Sequence, residues 1–519
     1  MHKKADHAQD VGALSKSMLI VMALTVVGKV SGFVREIFMS RQYGITAVAD
    51  AINTALNVPC FFLSAIVIAL AATFIPVYSG RLQHSPGEAN RFTNNLLTLG
   101  GVFTIVVLLL TYVFIEPLIT GFLLKHHGRD TQEIAVRLSK WMMPMGLFMF
   151  LARMASAHLQ ANFRFTIPAL SQICYNIVLI GAILVAGKLD VTYIAMGAVL
   201  GWVLQFIVQA PSMRRAGLSY RPVWDCKEPG LRQVLVLMIP VLIAGVFDTL
   251  YVGFDKSIAS QVSGDISSLD YADRLTAMVS AILPVTIATV LYPSLVRHVG
   301  EPGKMSQDIS FGVNVNLFIS IPATIALLLL CRPITRLVYE RGSFTPENTL
   351  SVAPLLACYA AGIFGVGLRE LCNRCFFAYK DVKIPTAVGV GVILLKIGLN
   401  YILYPLWGAP GLAVATSFSW LLSGFALLFL LHLRQRVVGW RAILACLWKV
   451  AAATAAMSAA LLLLSAGLKL DTLSGMSFPL MMAVVIALGL IVYAVALALL
   501  RSDELTMVLS VIRKKLKKG

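Results

Sequence analysis

Read as apolar and polar positions, the chain is a succession of long apolar runs separated by short polar stretches. Each run is about 18 to 25 residues long, enough to carry a helix across roughly 30 Å of hydrocarbon. The runs centre near residues 25, 63, 103, 146, 176, 202, 243, 284, 319, 362, 393, 421, 453 and 488. No polar stretch between them exceeds about 20 residues, so no separate soluble domain fits. The pattern predicts an all-α polytopic membrane protein of about fourteen transmembrane helices. The polar opening MHKKADHAQD is followed by no small-residue cleavage site, which argues against a removable signal peptide.

Composition supports this class. Of 519 residues, 58% are hydrophobic and only 13% charged, with a mean hydropathy of +0.82. That is too little charge to cover a soluble protein of this length. Lysine and arginine fall unevenly, with the loops on the N-terminal side richer by roughly two to one. Those loops hold Arg214, Arg215, Arg221, Lys227 and Arg232, then Arg434, Arg436 and Arg441. The bias puts both termini in the cytoplasm and the protein in a bacterial inner membrane as a multi-pass chain. In the tail, Leu505, Val508, Leu509, Ile512 and Leu516 recur at helical spacing among lysines, as an amphipathic helix on the inner leaflet or a topology-fixing basic tail would. The net charge of +18 is thus read as orientation and contact with anionic membrane lipids. No nucleic-acid partner is expected, because the basic residues are scattered between helices without an aromatic platform.

The eight cysteines carry little chemistry. Cys372 and Cys375 make a CxxC on a membrane helix with no second pair and no histidine nearby, so small-residue packing is expected and no metal site. No nucleophile elbow, P-loop or HExxH supports an enzyme.

Internal echoes give the organisation. Ala49-Asp50 opens a segment that ends FIPVYSGRL, and Ala272-Asp273 one that ends LYPSLVRHV. Phe163 to Pro168 (FRFTIP) echoes Lys380 to Pro385 (KDVKIP). An offset of about 220 residues, or six spans, predicts two parallel halves. The boundaries read as 1–222 for the first lobe, 223–436 for the second, 437–500 for two additional spans, and 501–519 for the tail.

Charges at bilayer depth are costly and normally face a cavity or a partner. The first span reads GKVSGFVRE, placing Lys29, Arg35 and Glu36 in or just beyond it, and Asp50 enters the second. Asp248 lies in the seventh, Asp273 and Arg274 start the eighth, Arg369 and Glu370 sit in the tenth, and Lys396 in the eleventh. Arg35, Glu36 and Asp50 also fit plain interfacial anchors, and Asp248 with Lys396 an inert buried pair. Basic side chains from the first and eighth spans would together suit an anionic head group, because arginine binds phosphate oxygens bidentately.

At these residues the chain resembles the MurJ (MviN) lipid II flippases of the multidrug/oligosaccharidyl-lipid/polysaccharide (MOP) exporter superfamily. The likeness runs from about residue 15 to 435 and weakens beyond. Its segments are GKVSGFVRE with ADAINTALNVP, FTIPAL followed by Asn176, YADRL with LYPSL, ERGSFTPENT, and YKDVKIPTAV. The resemblance implies two six-helix lobes around a central cavity, plus two C-terminal helices forming a groove for a polyprenyl tail. It implies transport of undecaprenyl-pyrophosphate-linked disaccharide pentapeptide between leaflets by alternating access, as a monomer and without a cofactor beyond a monovalent cation or the membrane potential. The family's first-helix arginine pair falls on Lys29 and Arg35, followed by Glu36. Its acidic residue opening the second helix falls on Asp50, its eighth-helix arginine on Arg274, and a cavity asparagine on Asn176. An ion-coupling site maps to Asp248, Lys396 and Asn400, where the lysine would supply the charge that sodium supplies in some members. Three positions depart from the family: Lys29 loses the guanidinium fork, the further second-helix arginine is Leu63, and a glutamate after the eighth-helix arginine is Ala277.

The alternatives are an exporter of another polyprenyl-linked glycan and a MATE-like drug/cation antiporter, which should carry an acidic cavity. A glycosyltransferase of lipid-linked sugars would need an acidic dyad in a long outer loop, and a structural subunit would not need charges inside the membrane.

Overall fold

The computed structural model describes residues 2–282, 284–468, 475 and 477–501, and among them every regular element is a helix. Of the amphipathic element expected at 501–519, residues 502–519 lie outside the described residues. The helices of the first half are α1 (His2–Tyr43), α2 (Ala47–Ala55), α3 (Leu63–His84), α4 (Pro86–Leu118), α5 (Arg129–Met142), α6 (Pro144–Ala161), α7 (Thr166–Ala186) and α8 (Thr192–Arg215). Then come α9 (Pro229–Ala259), α10 (Asp265–Ile282), α11 (Pro284–Arg297), α12 (Pro302–Leu329), α13 (Cys331–Tyr339), α14 (Pro346–Ala360) and α15 (Ile363–Ala378). The chain closes with α16 (Lys383–Trp407), α17 (Ala409–Gln435), α18 (Trp440–Gly467) and α19 (Ser477–Leu499).

Every expected span centre falls within or beside a helix or helix pair. Among the described residues, ten helices are long and apolar enough to cross a membrane, or eleven if α5 and α6, bent by 46° at Met143, make one span. This is fewer than the fourteen expected. Outside the number are α10, whose apolar stretch is broken by Asp270, Asp273 and Arg274, and α1, many of whose side chains lie outside the described residues. So are α9 and α11, some of whose side chains lie outside the described residues.

The repeat is stricter than the sequence suggested. The starts of α5 and α14, of α7 and α16, and of α8 and α17 are each 217 residues apart, as are the mid-helix prolines Pro76 and Pro293. The turn after α6 recurs after α15 with the same backbone. Phe163 (φ 58°) and Lys380 (φ 60°) are both left-handed non-glycine residues. In each turn the next amide closes on the helix end: Arg164 N–H donates to Leu159 O at 2.8 Å and Asp381 N–H to Phe376 O at 2.9 Å. This is the bonding that ends a helix by a left-handed cap. One echo is corrected: Ala49-Asp50 and Ala272-Asp273 are 223 apart, six residues out of register. Asp50 sits in the first turn of α2, whereas Asp273 is in the third turn of α10.

Contacts divide the chain into two compact units, residues 1–267 and 268–519. In the first, α7 packs on both α1 and α8, α6 on α8 and α3, and α9 runs along α3. One core joins Met39, Ile52, Leu138, Met142, Leu179, Ile183 and Ile194. In the second, α15 packs against α11, α12 and α17, around Leu295, Ile309, Leu371, Leu427 and Leu431. Cys372 and Cys375 belong to that core. There the backbones come very close: a Cβ on Gly365 would stand 2.5 Å from Leu421 N of α17, so only glycine fits. The last two helices, α18 and α19, pack on each other and on α12, and enclose with it an almost wholly apolar groove of about 380 Å³.

Candidate functional site: a buried polar seam on α1

The seam begins with small residues. Gly28 and Gly32 lie one turn apart on α1, where they let α7 approach closely enough for a short side chain to reach across. Asn176, 3% exposed, uses that space. Its Nδ2 donates to Ser31 Oγ at 2.9 Å and Gly28 O at 3.3 Å, and its Oδ1 accepts from Arg35 Nη1 at 3.3 Å. The guanidinium is held from its other side by Glu36 Oε1 at 2.5 Å. A charge-assisted bond and an amide bond thus fix an arginine within a membrane helix, with side chains 19% and 10% exposed for Arg35 and Glu36. Lys29, on the same helix, is exposed. The structure therefore joins three of the expected residues, Arg35, Glu36 and Asn176, directly.

Asp50 is elsewhere. It is fully buried, and its carboxylate accepts from Gly264 N–H (2.6 Å), Ser267 N–H (2.8 Å) and Ser267 Oγ–H (2.5 Å), with His127 Nε2 at 3.0 Å. Two of these donors are backbone amides at the start of α10, where a helix leaves its first N–H groups unpaired and favours negative charge. Asp50 thus pins the start of α10 to α2. Close by, Lys256 donates its Nζ to Asn53 O at 3.1 Å.

In the second unit, Arg274 is exposed on α10 and Ala277 half-buried one turn along. Lys396 (3% exposed) and Asn400 (fully buried) lie on one face of α16 and continue to Tyr404. The side chain of Asp248 lies outside the described residues, and so does the pair expected of it with Lys396. Leu63, where the family resemblance implied an arginine, is 1% exposed and faces α6, within 2.9 Å of where a Cβ on Gly146 would stand. The sequence reading missed Arg153 on α6, although its signal was plain: one charge within the apolar run FMFLARMA.

Two solved structures share this architecture. One is described as lipid II flippase MurJ in an inward closed conformation, with a TM-score of 0.80, 22% identity, and 93% of this chain and 98% of that one covered. The other is an inward-facing multidrug resistance MATE family transporter of the MOP superfamily, with a TM-score of 0.64, 12% identity, and 80% and 98% covered. Fold and buried charges together define a polytopic helical protein with the fold of MOP-superfamily transporters. The family model described as "Lipid II flippase MurJ" matches residues 39–501. The probable lipid II flippase MurJ of Vibrio cholerae is 30% identical over 440 residues, 81% of this chain and 83% of that protein. The lipid II flippase MurJ of Burkholderia cenocepacia is 27% identical over 440 residues, with 82% and 84% covered. The chain belongs to the MurJ lipid II flippase family.

Proposed function

We propose that this protein moves lipid II, an undecaprenyl-pyrophosphate-linked disaccharide pentapeptide, from the cytoplasmic to the outer leaflet of a bacterial inner membrane. The single observation that carries the reading is the arginine held on α1 by Asn176 and Glu36, in a chain matched by the flippase family model. No bond is made or broken in this transport. Its barrier is desolvation of a charged pyrophosphate, and a pre-oriented guanidinium lowers it by replacing water with fixed donors. Asn176 sets the plane of the guanidinium. Glu36 holds the charge until phosphate oxygens displace it. We assign Lys29 and Arg274 to further contacts with the head group, and Asp50 to positioning α10. The apolar groove of α12, α18 and α19 suits a polyprenyl tail.

Both termini are assigned to the cytoplasm, the repeats to 1–222 and 223–436, and the working form to a monomer. Alternating exposure of the α1 seam to the two sides, driven by membrane potential, completes the cycle. The test is rescue of a strain depleted of its own lipid II flippase. The wild-type chain should restore growth, while Arg35→Ala and Arg274→Ala, expressed at equal level, should not. Full rescue by both variants would overturn the reading.

A further inference from the structure

The α6 helix carries a cation that the seam on α1 does not use. Arg153 lies eight residues before the end of α6, and its neighbours Ala152 and Met154 are each 1% exposed. Arg153 itself is exposed, and among the described residues it makes no hydrogen bond and no ion pair. A lipid-facing arginine would stretch its head group toward the membrane surface. This one instead lies over the indole of Trp202 on α8, 5.8 Å from the ring centroid, and within electrostatic reach of the Cys60 thiol before α3. Trp202 in turn packs against Tyr175 of α7, with ring centroids 5.2 Å apart. The next residue, Asn176, is the one that orients Arg35. The two arginines are therefore linked from α1 through α7 and α8 to α6, by side-chain contacts on either side of the backbone step from Asn176 to Tyr175.

An arginine within an apolar helix that has no carboxylate beside it is an uncompensated charge, and such residues normally meet their counter-ion in a ligand. The indole covers one face of the guanidinium and leaves its edge of parallel N–H donors to bind an oxyanion bidentately. We propose that Arg153 is a second oxyanion-binding residue of the first unit, contacting an anionic group of the transported head group at the far end of the Asn176–Tyr175–Trp202 line. The inference rests on the function proposed above. That head group holds two kinds of oxyanion, pyrophosphate and the carboxylates of its peptide, and both present the same pair of acceptor oxygens.

The experiment measures binding to the full-length protein in nanodiscs by native mass spectrometry, with two probes. One is undecaprenyl pyrophosphate; the other is complete lipid II with its pentapeptide. Arg153→Gln is expected to weaken binding about tenfold or more, as loss of a charge-assisted pair does, with an unchanged melting temperature. Arg153→Lys should lose less, because it keeps the charge without the fork. Weakening for both probes places the contact on phosphate, and weakening for lipid II alone places it on carboxylate. Equal binding by wild type and Arg153→Gln, while Arg35→Ala binds weakly, overturns the role of Arg153 and leaves the proposed function standing. No binding of either probe to the wild type overturns the function itself. Should Arg153→Gln fold poorly, Cys60→Asp gives a second reading, because it offers the guanidinium a carboxylate in place. It should weaken binding where Cys60→Asn does not, and equal binding by these two variants overturns the proposal.

Discussion

Helices α7 and α16 begin 217 residues apart and hold the same place in their repeats, yet they bury opposite chemistry. On α7, Leu179 and Ile183 enter the apolar core with Met39 and Ile52. The positions 217 residues on are Lys396 and Asn400, 3% exposed and fully buried. With Tyr404 they are the only buried residues on α16 among the described ones, so that helix spends its inward face on polar groups. The reverse holds one turn earlier, where the buried amide of Asn176 on α7 corresponds to half-buried Ile393 on α16. The buried polar residues of this helix thus fall at different positions in the two repeats, Ser171 and Asn176 on α7 and Lys396 and Asn400 on α16. The backbone is held by turns and helix starts that recur at constant spacing, and the side-chain faces have diverged freely around it.

The sharpest way to break this contrast is to give α16 the chemistry of α7. Lys396→Leu restores the apolar residue of Leu179, and in a plain core it would be neutral or stabilising. If Lys396 instead neutralises a carboxylate, with Asp248 the proposed one, the single change strands that charge and should cost about 3–5 kcal/mol. Thermal melts in nanodiscs should show a large fall, mostly recovered by Asp248→Asn in the same chain. With lysine supplying this charge, transport should need no sodium. A sodium requirement in vesicle assays, or a double variant no better than the single one, would remove the ion-pair idea.

The contrast also shows what the sequence could disclose. Helical class, span positions and the repeat behind the echo of FRFTIP in KDVKIP were legible, because apolar length and short local motifs act within a few residues of chain, whereas the left-handed turns at Phe163 and Lys380 came only from the structure. Arg35, Glu36 and Asn176 were legible as candidates, but that they meet was not, since Arg35 and Asn176 are 141 residues apart. Asp50 was legible as a charge at the start of the second span, matching the family's acidic residue there, but its partners were not. Its donors at Gly264 and Ser267 lie more than 210 residues away, and no local pattern marks an acidic residue that caps another helix. Arg153 was visible as a charge in an apolar run, whereas its indole partner Trp202 could be placed only by the packing of α6 on α8.

A smaller effect comes from a pair of equivalent positions that bind each other. Asp50 and Ser267 are 217 residues apart, and the carboxylate of one accepts from both the amide and the hydroxyl of the other. Asp50→Ala would leave the amides of Gly264 and Ser267 buried without their acceptor, at a cost of about 2–3 kcal/mol. Ser267→Ala removes only the hydroxyl and should cost about 1 kcal/mol, since both amides still donate. Urea or thermal titration of the two variants gives the order directly. Equal losses would mean that Asp50 does not serve as the cap of α10.

The smallest effect tests whether the two turns are one device used twice. Phe163 and Lys380 adopt left-handed backbones at matching places, and neither is glycine. A side chain in that region costs about 1 kcal/mol through its Cβ, which glycine avoids at the price of a more flexible unfolded chain. Phe163→Gly and Lys380→Gly should therefore each stabilise by roughly 0.5 kcal/mol, read as a rise in melting temperature in detergent. Phe163 is 86% exposed and gives up little packing within the protein, so the two gains should be alike. Asparagine, which tolerates the left-handed region, should fall between the original residues and glycine at both sites. A gain at one turn and a loss at the other would show that the shared dihedrals hide different constraints. The neighbours suggest where such a difference would arise. Arg164 donates to the carbonyl of Arg215 at the end of α8 (3.1 Å), whereas Asp381 pairs with Arg434 near the end of α17 (3.6 Å). The same turn is tied to the same relative helix end by opposite charges, and 1 M salt should weaken the second tie more than the first, because the carbonyl contact has a neutral partner.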